Sequence, residues 1–325
     1  VALLVPDSSE ALLPGDEKRR WFGRKKSAED ASDRTLVSPM MLKRPMGRLI
    51  YWVVFTLLAL STLITLGPMY WMFTSALKSS IEIFQTPPTF WPAHPQWSNY
   101  INAWNVLNFP LYFGNTLILA AGAVVLQLVV SATAAYSLSK LRPAGRGVIQ
   151  FCFFCTLMVP PVAYLIPQFV NLSDLPLVHV SLINTWGSVW LPEAANAFNI
   201  LILKSFFDAI PAELTDAARL DGANAWQLFT RVILPLSRPV LSVVTIFTVV
   251  ASWKDFLWPL LVLTDSSVQP LSVAIYRQTG INSIYPLPFI YLMAGLALAS
   301  IPPIILFLVF QRQIIRGIAL TGLKG

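Results

Sequence analysis

The chain has 325 residues, 55% hydrophobic and 12% charged, with a mean hydropathy of +0.63 and a formal net charge of +7. Soluble domains carry about 25% charged residues, so this composition excludes an ordinary soluble enzyme and describes a membrane protein. The positive charge would suit a nucleic-acid partner, but its distribution assigns it to membrane orientation instead, and no nucleic acid is expected.

Residues 1–48 are polar and of mixed charge, with basic clusters at Lys18-Arg19-Arg20, Arg24-Lys25-Lys26 and Lys43-Arg44. No apolar run of signal-peptide type precedes these clusters. The stretch reads as a disordered, solvated cytoplasmic tail that helps orient the chain, with clusters suited to anionic membrane lipid. Six apolar stretches of spanning length follow, since a bilayer takes about 20 residues of helix. They run from about Leu49 to Phe73, Leu111 to Leu138, Val148 to Leu172, Thr185 to Phe207, Val240 to Leu263 and Phe289 to Phe310. The expected fold class is therefore an all-α polytopic membrane protein with six transmembrane helices over residues 49–325.

The basic residues set the orientation. In a six-span arrangement the 1–48 tail, the loop after span two (Lys140, Arg142, Arg146), the stretch between spans four and five (Lys204, Arg219, Arg231, Arg238) and the C-terminal tail (Arg312, Arg316, Lys324) share one side. The other side holds only Lys78 and Arg277, while Lys254 lies inside span five. Both termini are thus expected in the cytoplasm. The outer loops are rich in proline and aromatics, as in Pro87-Pro88, Trp91-Pro92, Trp97 and Trp104 of residues 77–110. A third outer loop covers 264–288 and includes Asp265, Arg277, Asn282, Tyr285 and Pro286. Cys152 and Cys155 sit in an apolar run with no second pair and no nearby His, so packing rather than metal binding is expected.

Residues 208–238 form a polar island between spans four and five. Pro211 suits the first turn of a helix. Glu213, Asp216 and Asp221 add negative charge, and Leu214, Ala217, Ala218 and Asp221 recur at helical spacing. Gly222 is a stop or bend. Ala223–Leu234 then reads as a second helix with Trp226, Phe229, Val232 and Ile233 on one stripe, closed by Pro235.

The island also resembles a known signature. Asp216-Ala217-Ala218, Gly222 and the Ile233-Leu234-Pro235 exit look like the EAA loop of type I ABC-importer permeases, with Asp216 where the motif usually has Glu. The resemblance widens over residues 49–325 to the MalG-like, binding-protein-dependent carbohydrate permeases. It is carried by Glu82-Ile83-Phe84, Phe113-Gly114-Asn115-Thr116, Ala134-Ala135-Tyr136-Ser137-Leu138, Met158-Val159-Pro160-Pro161, Trp253-Lys254-Asp255-Phe256 and Gly322-Leu323-Lys324-Gly325. Lys254 replaces the family's Asn in the fifth of these.

This resemblance implies a bacterial or archaeal inner-membrane complex. Its partners would be a second homologous (MalF-like) permease, two ATPase subunits and an extracytoplasmic solute-binding protein. Glu213, Asp216, Ala217, Ala218, Asp221, Gly222 and Ala223 would form the ATPase-coupling contact, and the third outer loop would meet the binding protein. No Gly-x-x-x-x-Gly-Lys-Ser/Thr run is present, so no cofactor is expected in this chain. ATP and Mg would be bound by the partner ATPase, and the chain itself is not an enzyme.

Polar groups within spans mark a solute path. Glu193, Asn196 and Asn199 follow one another at intervals of three in span four, which places them on one helical face. Trp253, Lys254 and Asp255 lie in span five, and Glu193 and Lys254 are each about 13 Å from the outer end at ~1.5 Å per residue. Either they pair or they line the path. Tyr164, Trp186 and Trp190 offer further aromatic faces. The favoured solute is a sugar or oligosaccharide. A glycerol-phosphate-type importer is the alternative, kept open by Lys254, with a secondary transporter behind it.

Overall fold

The computed structural model describes residues 45–176, 178–279 and 287–321, with the side chains of 279 and 312–321 outside the description. Nearly all of the basic tail, the Asn282, Tyr285 and Pro286 part of the third outer loop, and the closing Gly322–Gly325 therefore lie outside the described residues. Regular structure among the described residues is helical throughout. Two compact units divide the chain, Val1–Gly67 and Pro68–Gly325. In the first, the described residues belong to helix α1 (Pro45–Ser75), whose Leu49, Trp52, Phe55, Leu58 and Leu63 are exposed. Such an apolar surface is stable only in a lipid or protein environment.

The second unit opens with a loop folded around a buried cation. Lys78 is 1% exposed, lies 4.2 Å from the Trp71 ring and donates to the Thr89 carbonyl. Glu82 Oε1 accepts from Thr89 Oγ1 and the Ala93 amide, and Asn99 Nδ2 donates to the Ala76 and Lys78 carbonyls. These bonds give a proline-rich segment a fixed shape. α2 (Ser98–Val106) follows.

Helix α3 (Phe109–Tyr136) is the axis of this unit and continues as a π-helical turn, Ser137–Leu141. It packs on α7 (Ala197–Asp208) and α11 (Arg238–Lys254). Near its start Phe109 and Tyr112 join a core with Leu107, Leu271 and Ala294. In its middle Leu119 joins Leu172, Val189 and Trp258. At its far end Ala132, Ala135 and Tyr136 join Leu203, Phe207, Leu228, Phe229 and Ile233. Gly122 is needed for packing, because a Cβ there would overlap the Trp190 indole. That indole donates to the Leu119 carbonyl at 3.0 Å.

A polar knot unforeseen in the sequence ties α3 to both neighbours. Asn199 Nδ2 donates to Gln127 Oε1 at 2.7 Å, and Thr248 Oγ1 donates to the same oxygen at 2.5 Å. All three side chains are buried. Gln127→Leu strands both donors, so a stability loss of about 1–3 kcal/mol is expected. Thermal inactivation of the purified protein would show this as a lower midpoint, and an unchanged midpoint would refute it.

Among the described residues three helices, Pro45–Ser75, Phe109–Leu141 and Phe289–Gln311, are singly long and apolar enough to cross a membrane. The last is the described-side-chain part of α14 (Phe289–Thr321). Two bent pairs also qualify, which makes up to five if each is one span. Three of the six spans expected from the sequence are broken, span three at prolines that the sequence itself marks as helix breakers. Span three is α4 (Arg146–Met158) and α5 (Pro161–Ser173), bent by 105°. Pro160 and Pro161 cause this, since proline cannot donate to the helix and disfavours helical geometry before it. Span four is α6 (Gly187–Glu193) and α7, separated at residues 194–196. Span five ends as α11 at Lys254, turns extended at Asp255 and resumes as α12 (Leu257–Val262). The segment 264–279 ends in α13 (Leu271–Thr279), which packs on α3 and α14.

Candidate functional site

The first candidate site is the hairpin. α8 (Ala212–Leu220) ends at Gly222, whose φ of +84° favours glycine. The Ala223 amide donates to the Ala218 carbonyl at 2.9 Å and the Gly222 amide to that of Arg219 at 3.0 Å, which is a Schellman stop. The second helix starts on a capping box, with Asn224 Oδ1 accepting from the Gln227 amide and Gln227 Oε1 from that of Asn224. It runs as α9 (Ala225–Gln227), a π segment (Leu228–Ile233) and α10 (Leu234–Leu236). Pro235 therefore lies within it, and the chain turns two residues later at Ser237, with a 78° bend into α11.

The hairpin buries Thr215, Leu228, Phe229 and Ile233, with Ala218 packed against that core. Glu213, Asp216, Ala217, Asp221 and Gly222 are exposed, and Ala223 is half-buried. Trp226, expected on one stripe with Phe229, meets the Phe229 ring at 5.7 Å but is itself 66% exposed. The buried face is Leu228, Phe229 and Ile233, with Val232 packed against it. Asp216 and Arg219 form an ion pair at 3.3 Å; both are exposed, so it adds little to stability. The free rim thus carries Leu214, Leu220 and Trp226 beside carboxylates. Leu220 is 89% exposed.

The second candidate site is a cavity of about 220 Å³ where the three helix breaks converge. Pro161, Tyr164 and Gln168 line it from α5, Pro192 and Glu193 from α6, and Asp255, Leu257 and Trp258 from the α11–α12 break. It adjoins a shallower cleft of about 400 Å³ that shares Tyr164, Gln168 and Pro192 and adds Asn171. Asp255 Oδ2 is buried with no hydrogen-bond partner among the described residues.

Of the six path residues expected from the sequence, this cavity gathers Glu193 and Asp255. Lys254 is exposed and does not line it, and no Glu193–Lys254 ion pair occurs among the described residues. The expected alternative of pairing is thus corrected. Because α11 ends at Lys254 and Asp255 is extended, the successive side chains diverge. Asn196 caps α7 and accepts from the Asn199 amide, while Asn199 is held in the Gln127 knot. The break between Glu193 and α7 removes the single face that their spacing implied. Trp253 packs against α14, donating to the Ala299 carbonyl at 3.3 Å. Gln168 and Trp258 were not foreseen; the signal was Gln168 one turn after Tyr164.

Residues 127–320 match the family described as binding-protein-dependent transport system inner membrane component. The chain is 32% identical over 260 residues to the diacetylchitobiose uptake system permease protein NgcG of Streptomyces coelicolor, covering 79% of this chain and 84% of that one. It is 30% identical over 268 residues to the sn-glycerol-3-phosphate transport system permease protein UgpE of Yersinia pestis, covering 81% and 93%. The fold is similar to a chain in the crystal structure of a bacterial ABC transporter involved in import of the acidic polysaccharide alginate. The TM-score there is 0.74 at 27% identity, covering 83% of this chain and 98% of the other. A helical chain with long apolar helices and this degree of identity over most of its length belongs to the family of binding-protein-dependent transport system inner membrane components, the permease subunits of ABC transporters.

Proposed function

We propose that this chain is one of two permease subunits of an ATP-driven importer for a neutral sugar or oligosaccharide. In this reading it spans the membrane six times, with α4–α5, α6–α7 and α11–α12 each counted as a single span and both termini in the cytoplasm. Its 208–238 loop docks on a separate ATPase, and a second permease and an extracytoplasmic binding protein complete the complex. The one-sided distribution of Lys and Arg supports the orientation. Support for docking comes from the exposed rim of Leu214, Leu220 and Trp226, the free carboxylates around it and the stiff Schellman turn at Gly222. ATP and Mg are assigned to the partner.

The observation that carries the choice of solute is the lining of the cavity at the helix breaks. Glu193 and Asp255 accept hydrogen bonds, Tyr164 and Gln168 give and accept them, and Trp258 offers a ring face. Among the described residues no Lys or Arg lines that cavity. Sugar hydroxyls suit such a surface, whereas a phosphate meets two acidic side chains and no cation there. The glycerol-phosphate alternative rests on the UgpE relative, and the position of Lys254 outside the cavity counts against it.

The test is ATP-dependent uptake by the complete complex in proteoliposomes with its own binding protein. Neutral disaccharides and sn-glycerol 3-phosphate are the probes. Uptake of a neutral saccharide, with ATP hydrolysis stimulated by the loaded binding protein, is the expected result. Selective uptake of the phosphate would sink the neutral-solute reading.

A further inference from the structure

The hairpin is clasped to the end of α3 as well as joined to its neighbours in sequence. Lys140 Nζ donates to the Ile210 carbonyl at 3.0 Å, just before α8, and Tyr136 OH donates to the Ala225 carbonyl at 2.9 Å, where the second helix opens. Tyr136 and Lys140 lie about one turn apart; Lys140 grips the base of the hairpin before α8, and Tyr136 grips the start of its second helix, three residues past Gly222. Ser139 Oγ adds a bond to Asp208 Oδ1 at 2.6 Å, and Lys204 Nζ holds the other oxygen at 2.7 Å. Beneath these bonds the Tyr136 and Phe229 rings meet at 4.9 Å. Main-chain carbonyls are the acceptors in both grips, so the bonds hold the backbone of the hairpin itself. The turn itself stays open, since among the described residues nothing lies within 4 Å of where a Cβ on Gly222 would stand.

The opposite end of α3 carries a second clasp. Asn115 Nδ2 donates to the Ser267 and Gln269 carbonyls at 2.8 and 2.9 Å, and Thr116 Oγ1 accepts from the Leu271 amide at 2.9 Å. Asn115 and Thr116 are buried. From Asn115 to Lys140 is about 38 Å of helix at ~1.5 Å per residue. Between the clasps, the Gln127 knot and the Trp190–Leu119 bond tie α3 to the elements that carry Glu193 and, through α11, Asp255.

We propose that α3 is the coupling rod of this permease. Tyr136 and Lys140 are the positioning residues that pass hairpin motion to it, and Asn115 and Thr116 deliver that motion to segment 264–271. This rests on the importer reading above, in which those two ends face the ATPase and the binding protein. Motion would thus bypass the bend at Ser237 and reach both the cavity and the outer surface through one helix. Physical continuity alone does not prove coupling, so a functional readout is required.

The experiment uses the complete reconstituted complex carrying Tyr136→Phe, Lys140→Met, the pair together, Lys140→Arg or Asn115→Ala. ATPase retention on purification, basal hydrolysis, hydrolysis stimulated by loaded binding protein, and uptake are measured for each. The double variant is expected to retain its ATPase subunits and basal hydrolysis while stimulation and uptake fall about tenfold or more. Lys140→Arg keeps a donor and restores most of both, and Asn115→Ala reproduces the uncoupling from the other end. If the double variant is stimulated and transports within twofold of the parent, the rod is overturned and the importer reading stands. Loss of the ATPase subunits from the double variant also overturns it, because these residues would then shape the docking face. A parent complex with no stimulated hydrolysis overturns the importer reading and the rod with it.

Discussion

Leu220→Gln is expected to weaken association of the ATPase with the permease tenfold or more and to reduce uptake accordingly. Leu220 is 89% exposed, next to the Schellman turn, so its removal from the free chain costs little. Covering a leucine side chain contributes about 1.5–3 kcal/mol, and about 1.4 kcal/mol corresponds to tenfold in affinity. Glutamine is the better probe than glutamate, because a negative charge at a helix C-terminus is itself unfavourable by about 0.3–1 kcal/mol. Ala218 is a poorer site, since it packs on the hairpin core and a larger residue would disturb folding and docking together. The measurement is the amount of ATPase retained on the tagged permease in mild detergent, with circular dichroism to confirm helix content. Retention equal to the parent, at equal helix content, would remove Leu220 from the docking surface.

The hairpin was legible in the sequence because its signals are local. Gly222 stops α8 by adopting positive φ, and the apolar residues after Asn224 repeat at helical spacing. The spacing set Trp226 beside Phe229, and their rings meet at 5.7 Å, but its exposure depends on what packs over the hairpin, which periodicity does not report. The spans were legible as apolar runs, but not their breaks. Pro160-Pro161 announced the break in span three. By contrast, the separation after Glu193 depends on Asn196 capping α7, and the turn at Asp255 has no equally plain signal. Those breaks decide the site, since they turn Glu193 away from Asn199 and toward Asp255. The Gln127 knot and the Lys140–Ile210 clasp join residues more than 60 positions apart, and no periodicity reports such a contact.

Glu193→Gln is expected to lower uptake of the neutral saccharide about tenfold or more, chiefly through the apparent KM. Losing one partner of a buried hydrogen bond costs about 1–3 kcal/mol, and about 1.4 kcal/mol is tenfold in affinity. Glutamine keeps the shape and one acceptor, so lost packing does not explain the change. Glu193 and Asp255 line one cavity, so their effects are coupled and not additive. The double variant Glu193→Gln/Asp255→Asn should therefore lose less than the two single losses added together. It should also admit a phosphorylated sugar better than the parent does, because the two acidic groups that disfavour an anion are gone. Trp253→Phe is the control. Its indole bonds the Ala299 carbonyl away from the cavity, so it should lower thermal stability without altering solute preference. Uptake competition between a neutral and a phosphorylated sugar, in proteoliposomes of each variant, reads both effects at once. A double variant with the parent's preference would show that the two carboxylates hold the helix breaks together and do not choose the solute. A shift toward the anion, with the control unchanged, would place the selective step at the point where the three broken spans meet.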